Sequence, residues 1–143
     1  MTLRDILKVK GSHVHYIGPD ATVLDAVAIL MEHRIGALLV RGAAGEVAGI
    51  ITERDVLREC ARHAADLGRI RVREAMTPEP LVCAPDDGVD AAMGIVTAHR
   101  VRHLPVMDAG RVAGMISIGD LVKAKLDEAQ DENQHLREYI TGR

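Results

Sequence analysis

Gly49-Ile50-Ile51-Thr52-Glu53-Arg54-Asp55 decides how this chain is read, because it returns as Gly114-Met115-Ile116-Ser117-Ile118-Gly119-Asp120. Each copy is a short apolar run, then a hydroxyl residue, then a carboxylate three places on. That order predicts a strand running into the first turn of a helix. Thr52 with Asp55, and Ser117 with Asp120, have the spacing of a capping box, in which the hydroxyl and the carboxylate satisfy backbone N–H groups of the first turn. The same place suits an anion, since a helix N-terminus presents free N–H groups and the positive end of its dipole. The hydroxyl can hold a phosphate and the carboxylate can accept hydrogen bonds from a sugar diol. Capping and ligand binding therefore compete for the same four side chains, and they can coexist if a ligand displaces the cap.

Working outward, the repeat covers most of the chain. Pro19-Asp20 matches Pro85-Asp86, and His33-Arg34 matches His99-Arg100, each displaced by 66 positions. Val47-Ala48-Gly49 matches Val112-Ala113-Gly114, and Asp55 matches Asp120, displaced by 65. The single residue of difference falls in the turn between the two middle strands. Each copy reads as β-α-β-β-α. Thr22-Val23-Leu24-Asp25 opens a helix to about Arg34, with Val23, Ala26, Val27, Leu30 and Met31 at helical spacing. Gly36 to Val40 and Val47 to Ile51 read as strands, and the next helix runs to about Ala65. In the second copy Leu81 to Cys83 reads as a strand, Val89 to His99 as a helix, and Leu104 to Val106 and Arg111 to Ile116 as strands. A unit of this size cannot cover its own sheet, so the expected fold is α/β (α+β), with two repeats packed sheet to sheet about a pseudo-two-fold axis plus a C-terminal helix. The expected partition is repeat 1 over 2–65, a connector over 66–71, repeat 2 over 72–127 and a helical extension over 128–143.

Composition narrows the function. The 143 residues carry 18 basic and 21 acidic side chains, a formal charge of −3, which gives no broad attraction to nucleic acid. Tyr16 and Tyr139 are the only aromatics, so the core must be aliphatic and no base-stacking platform exists. Cys60 and Cys83 make neither a disulfide framework nor a zinc pattern, lack a paired histidine, and read as reduced core thiols. With no signal-peptide layout and no apolar run near 18 residues, the expected location is cytoplasmic, with no membrane partner. His13-Val14-His15 places two imidazoles on one strand face, but no third ligand is evident and no metal site is expected. His33 and His99 sit at helix C-termini, where the dipole favours a cation. From Asp120 to Ile140 no Gly or Pro intervenes, and Val122, Leu126, Ala129, Leu136 and Ile140 form a thin apolar seam beside an acidic belt. Such a helix calls for support from a partner subunit.

The paired β-α-β-β-α unit, the run His99-Arg100-Val101-Arg102-His103-Leu104-Pro105-Val106, and the Gly-x-x-[Ser/Thr]-x-x-Asp that closes each copy resemble a tandem cystathionine β-synthase (CBS) domain pair, or Bateman module, of the small stand-alone bacterial kind. The resemblance covers essentially the whole chain and is specific because several motifs recur in order. It implies a regulatory module for adenosine-containing ligands (AMP, ADP, ATP, NAD(H) or S-adenosylmethionine), with no catalytic cofactor and no enzyme activity. It also implies clefts shared between repeats. One would combine Thr52, Arg54 and Asp55 with Thr77, Leu81, Arg102 and His103. The other would combine Ser117 and Asp120 with Lys10, His15, Ile35, Gly36 and Ala37. Ile50 and Met115 would flank the bases.

The two sites are expected to be unequal. Arg54 stands where the second copy has Gly119, and a guanidinium beside a helix N-terminus can clamp a phosphate. Arg100, Arg102 and His103 add charge on that side, while Gly36 and Ala37 leave the other small and apolar. The expected assembly is a homodimer with an unidentified regulated partner. Three rivals remain open at this level: an enzyme built on His103 and Asp55, a structural adaptor whose clefts are vestigial, and a nucleic-acid binder, which the acidic balance disfavours.

Overall fold

Nearly every punctuation mark of the repeat becomes an element boundary. In the computed structural model, which describes residues 1–63 and 66–142, helix α1 spans Leu3–Lys10, strand β1 Tyr16–Ile17, helix α2 Val23–His33, strand β2 Ala37–Arg41, strand β3 Val47–Thr52 and helix α3 Glu53–His63. A 3-10 turn at Leu67–Arg69 and helix α4 at Val72–Ala75 lead to strand β4, Thr77–Pro78. Helix α5 (Val89–His99), strand β5 (His103–Asp108), strand β6 (Arg111–Ser117) and helix α6 (Ile118–Thr141) complete the second pass. The class is the expected mixture of α and β with a C-terminal helix. The expected end of α3 near Ala65 lies outside the described residues.

The chain forms two compact units whose limits differ from those of the repeats. Val14–Pro80 make a central unit, while Met1–His13 join the chain from Leu81 onward in a terminal unit. In the central unit the strand order is β1-β2-β3-β4. Strand β1 lies parallel to β2, β2 and β3 are an antiparallel hairpin that pairs Ala37 with Thr52, and β3 pairs Gly49 and Ile50 with Pro78 and Thr77. Its core gathers Val23, Ala26 and Leu30 of α2, Leu38 and Val40 of β2, Ile51 of β3, and Ile70, Val72 and Ala75. In the terminal unit β5 and β6 form the equivalent hairpin, pairing His103 with Ser117. The same repeat positions fill its core: Val89, Ala92 and Val96 of α5, Leu104 and Val106 of β5, and Ile116 of β6. Leu3 and Ile6 of α1 close it from the far end of the sequence. Aliphatic residues of this size, fully buried, each contribute about 1.5–3 kcal/mol, which is how a core without Phe or Trp holds.

The helix ends follow their signals. Thr22 and Asp25 form the reciprocal box at the start of α2, with Thr22 N–H donating to Asp25 Oδ2 at 2.9 Å and Asp25 N–H donating to Thr22 Oγ1 at 3.1 Å. Helices α2 and α5 end at His33 and His99, and the following Arg34 and Arg100 both turn into the left-handed region, at φ 54° and 53°.

Two expectations change. Leu81 to Cys83 is not a regular strand: only Cys83 bridges to Val106, through Cys83 N–H to the Pro105 carbonyl at 2.9 Å and Met107 N–H to the Cys83 carbonyl at 2.7 Å. Pro78, Pro80 and Pro85 crowd this segment, and prolines cannot donate to a ladder. Cys83 is buried and burial pushes its thiol pKa up, as expected of a core thiol, but Cys60 is only half-buried. The arginines in and just after the connector make polar contacts. Arg71 donates to the Asp20 carbonyl at 2.7 Å, Arg73 pairs with the Asp20 carboxylate, and Arg69 pairs with Asp66 at 3.2 Å.

Candidate functional site

Both echoed motifs fold as strand-to-helix junctions, and each is locked by the residue just before the preceding hairpin. In the central unit the first N–H of α3, from Glu53, donates to the Gly36 carbonyl at 3.1 Å. In the terminal unit the first N–H of α6, from Ile118, donates to the Arg102 carbonyl at 2.9 Å. Gly36 and Arg102 are repeat equivalents, so one backbone device fixes both junctions.

At the central junction Asp55 is buried, 2% exposed. Its Oδ2 accepts from Thr52 N–H at 2.9 Å and from the Thr52 hydroxyl at 3.1 Å. Its Oδ1 accepts from Arg58 at 2.9 Å and, more weakly, from the Thr77 hydroxyl at 3.4 Å. A buried carboxylate is tolerated only with such company. Ile50 lies between Leu39 and Thr77 in the sheet. Arg54 is exposed on the first turn of α3.

At the terminal junction Ser117 caps α6. Its N–H donates to Asp120 Oδ2 at 2.8 Å, and its hydroxyl oxygen accepts from Asp120 N–H at 3.2 Å. Lys10, at the end of α1, reaches in from 110 residues away and donates to Asp120 Oδ2 and to the Met115 carbonyl, both at 2.7 Å. Burial pushes the Asp120 carboxyl upward, but the Lys10 ammonium and the Ser117 N–H outweigh it and hold the group below the usual carboxylate range. Met115 is buried beside this junction.

The assigned residues divide between the units. Thr52, Arg54, Asp55, Thr77 and Ile50 share the central unit with His15, Ile35, Gly36 and Ala37. Lys10, Met115, Ser117 and Asp120 share the terminal unit with Leu81, Arg102 and His103. Side-chain contacts link Thr52, Asp55 and Thr77 in one and Ser117, Asp120 and Lys10 in the other. The His15 carbonyl accepts from Leu39 N–H at 3.1 Å, and its ring stacks on His33 with centroids 4.0 Å apart. Sequence reasoning missed Arg58, the cation that touches Asp55. Its i,i+3 spacing from Asp55 was the available signal.

A family model described as the CBS domain matches residues 3–62 and again 72–127. The chain is 38% identical to the CBS domain-containing protein CBSX3, mitochondrial, of Arabidopsis thaliana, over 99% of this chain and 72% of that protein. The crystal structure of a CBS-domain containing protein from Agrobacterium tumefaciens superposes with a TM-score of 0.84 at 42% identity, covering 87% of this chain and 92% of that one. The CBS domain pair of protein MJ0100, solved in complex with 5′-methylthioadenosine and S-adenosyl-L-methionine, shares the fold with a TM-score of 0.79 at 22% identity over 90% of this chain and 98% of that one. Among the described residues no helix is long and apolar enough to cross a membrane. Two matched repeats, each closing on a capped hydroxyl–carboxylate junction, place this chain in the CBS-domain family.

Proposed function

We propose that this protein is a regulatory module that binds adenosine-containing nucleotides (AMP, ADP, ATP or NAD(H)) at two unequal half-sites, and that it works as a homodimer on a protein partner. The observation that carries the reading is the pair of junctions. Each presents a helix N-terminus, a hydroxyl and a carboxylate in one place, the groups that a nucleotide's phosphate and ribose diol require. The carboxylates are held by side chains that a ligand can replace: the Thr52 and Thr77 hydroxyls around Asp55, and Lys10 on Asp120. The half-sites differ in the cation offered. Arg54 stands at the first turn of α3, where α6 has Gly119, so the central half-site is the stronger phosphate binder. S-adenosylmethionine is the second reading, favoured by the MJ0100 pair, whose complex contains it.

A bound ligand regulates only if it prefers one of two states of the module, since equal affinity shifts no equilibrium. Calorimetry with AMP, ATP, NADH and S-adenosylmethionine tests the reading. The expected result is heat with at least one of them, with Asp55→Ala and Asp120→Ala each removing a different component of binding. Absence of heat at protein concentrations that detect ~100 μM affinity returns the chain to the structural-adaptor reading. Turnover of ATP, AMP or NADH by the pure protein makes it an enzyme instead.

A further inference from the structure

Helix α6 outruns the unit it belongs to. Leu121 and Ala124 are buried, Lys125 and Glu128 half-buried, and every described residue from Ala129 to Gly142 is exposed. An overhang of this length, about 20 Å at 1.5 Å per residue, is marginal as an isolated helix. Asp127 with Asp131, and Glu128 with Glu132, add like charges at i,i+4 that weaken it further. Yet Val122, Leu126, Ala129, Asn133, Leu136 and Ile140 follow one another in alternating steps of four and three. As a heptad, Leu126, Asn133 and Ile140 take the a positions, and Val122, Ala129 and Leu136 the d positions. The seam is turned roughly 100° around the helix from the buried Leu121 and roughly 160° from the buried Ala124, so packing within the unit leaves it uncovered. Leu126 is 58% exposed, Leu136 59% and Ile140 80%.

We infer that the α6 helices of two copies of this chain pair in parallel, in register, along this seam. Two features select a second copy in that orientation. In a parallel pair Asn133 faces Asn133 of the second copy, and the two amides hydrogen-bond to each other. In an antiparallel pair it faces Ala129 or Leu136, which cannot answer it. Glu132 occupies a g position and Arg137 the e position five residues on, so opposite charges meet across a parallel pair twice by symmetry. A single polar layer among aliphatic layers also fixes the register, at a cost in affinity. The inference rests on the dimeric reading above and supplies its geometry, without depending on which ligand binds.

Sedimentation equilibrium of the full chain tests it. The wild type is expected to dimerise. Leu136→Glu with Ile140→Glu is expected to weaken the dimer at least about tenfold, while Gln134→Glu with His135→Glu, off the seam, leaves it within about twofold. Asn133→Leu is expected to tighten association and admit assemblies larger than two. In a Cys60→Ser background, Leu136→Cys treated with glutathione disulfide is expected to give a 136-to-136 intermolecular disulfide by peptide mass spectrometry, and Gln134→Cys is not. If the double-Glu variant dimerises like wild type and Leu136→Cys cross-links no better than Gln134→Cys, the seam is overturned and the dimeric reading stands. A wild type that is monomeric throughout overturns both.

Discussion

Asp55 and Asp120 occupy the same station in two copies of one motif and are satisfied by different means. Asp55 is sealed in, with the hydroxyls of Thr52 and Thr77 and the guanidinium of Arg58 around it. Asp120 is partly open, and its principal partner is the ammonium of Lys10, delivered by the first helix of the chain. One half-site is built mainly from neutral donors and an i,i+3 neighbour, the other from a long-range ion pair. The difference teaches that the repeat conserves the backbone junction, through Glu53 N–H to Gly36 and Ile118 N–H to Arg102, while leaving the chemistry around the carboxylate free to diverge.

The twin glycines break the comparison most sharply. A Cβ on Gly49 would lie 2.7 Å from the Thr77 carbonyl oxygen and 2.8 Å from Met76 Sδ, and the first of these is backbone that cannot step aside. A Cβ on Gly114 would lie 2.6 Å from the Cδ2 tip of Leu7, which can rotate. Gly49→Ala is expected to cost about 3 kcal/mol and Gly114→Ala about 1 kcal/mol. Urea unfolding of the two variants checks this, and equal losses would remove the distinction drawn here.

Next in size is Asp55→Ala, which leaves Thr52 N–H without its acceptor inside a buried turn. Arg58 is half-exposed and returns to water. The expected loss is about 2 kcal/mol, read from the same unfolding curves. Asp55→Asn, which keeps an acceptor oxygen, should recover part of it. No recovery would mean that charge, and not hydrogen bonding, holds the junction.

Lys10→Met sharpens the other side. Lys10 is more than a third exposed, so solvent screens the pair and its removal costs about 1 kcal/mol or less. The pH dependence is more informative. Because Asp120 is held below its ordinary pKa, the folded state gains stability above that value of about 3.9 and loses it as pH falls through the lower folded value. Lys10→Met should raise the Asp120 pKa toward the ordinary range and flatten this part of the acid limb. Carboxyl NMR titration of Asp120 in both proteins decides it, and an unmoved pKa would show that Ser117 alone sets the shift.

The smallest expected effect concerns a feature that the copies share. Arg34 and Arg100 end α2 and α5 in the left-handed region, which costs a residue with a Cβ about 1–2 kcal/mol. Glycine relieves that and loses part of the gain to unfolded-state entropy. Arg34→Gly should stabilise by about 0.5 kcal/mol. A thermal melt that falls instead would show that the Arg34 side chain holds something at that corner.

What the sequence reveals follows distance along the chain. The caps at Thr22, Thr52 and Ser117 were readable because every partner lies three residues away. The two hairpins were readable because their apolar runs are bounded by turns and repeat at a fixed displacement. Residues 81–83 were misread as a strand because Leu-Val-Cys has strand composition, whereas the flanking prolines limit it to one bridge. The ion pair of Lys10 with Asp120 has no local pattern, and only the family resemblance brought the two into one list. Arg58 escaped for a different reason: Arg54, inside the motif, is the nearer cation in sequence, while the contact comes from one helical turn beyond Asp55.

The docking of α1 into the terminal unit sets an order of assembly. The central unit is one uninterrupted stretch, so its core can close while the remainder is still being synthesised. The terminal unit cannot. Its first helix emerges earliest, yet Leu3 and Ile6 must wait for Leu104, Ile116 and Leu121 before they are covered. Loop-closure entropy grows only slowly with such a separation, so the cost falls on time rather than on final stability. During that interval Leu3, Ile6 and Leu7 are an apolar patch without its partners, the place where a chaperone has something to hold.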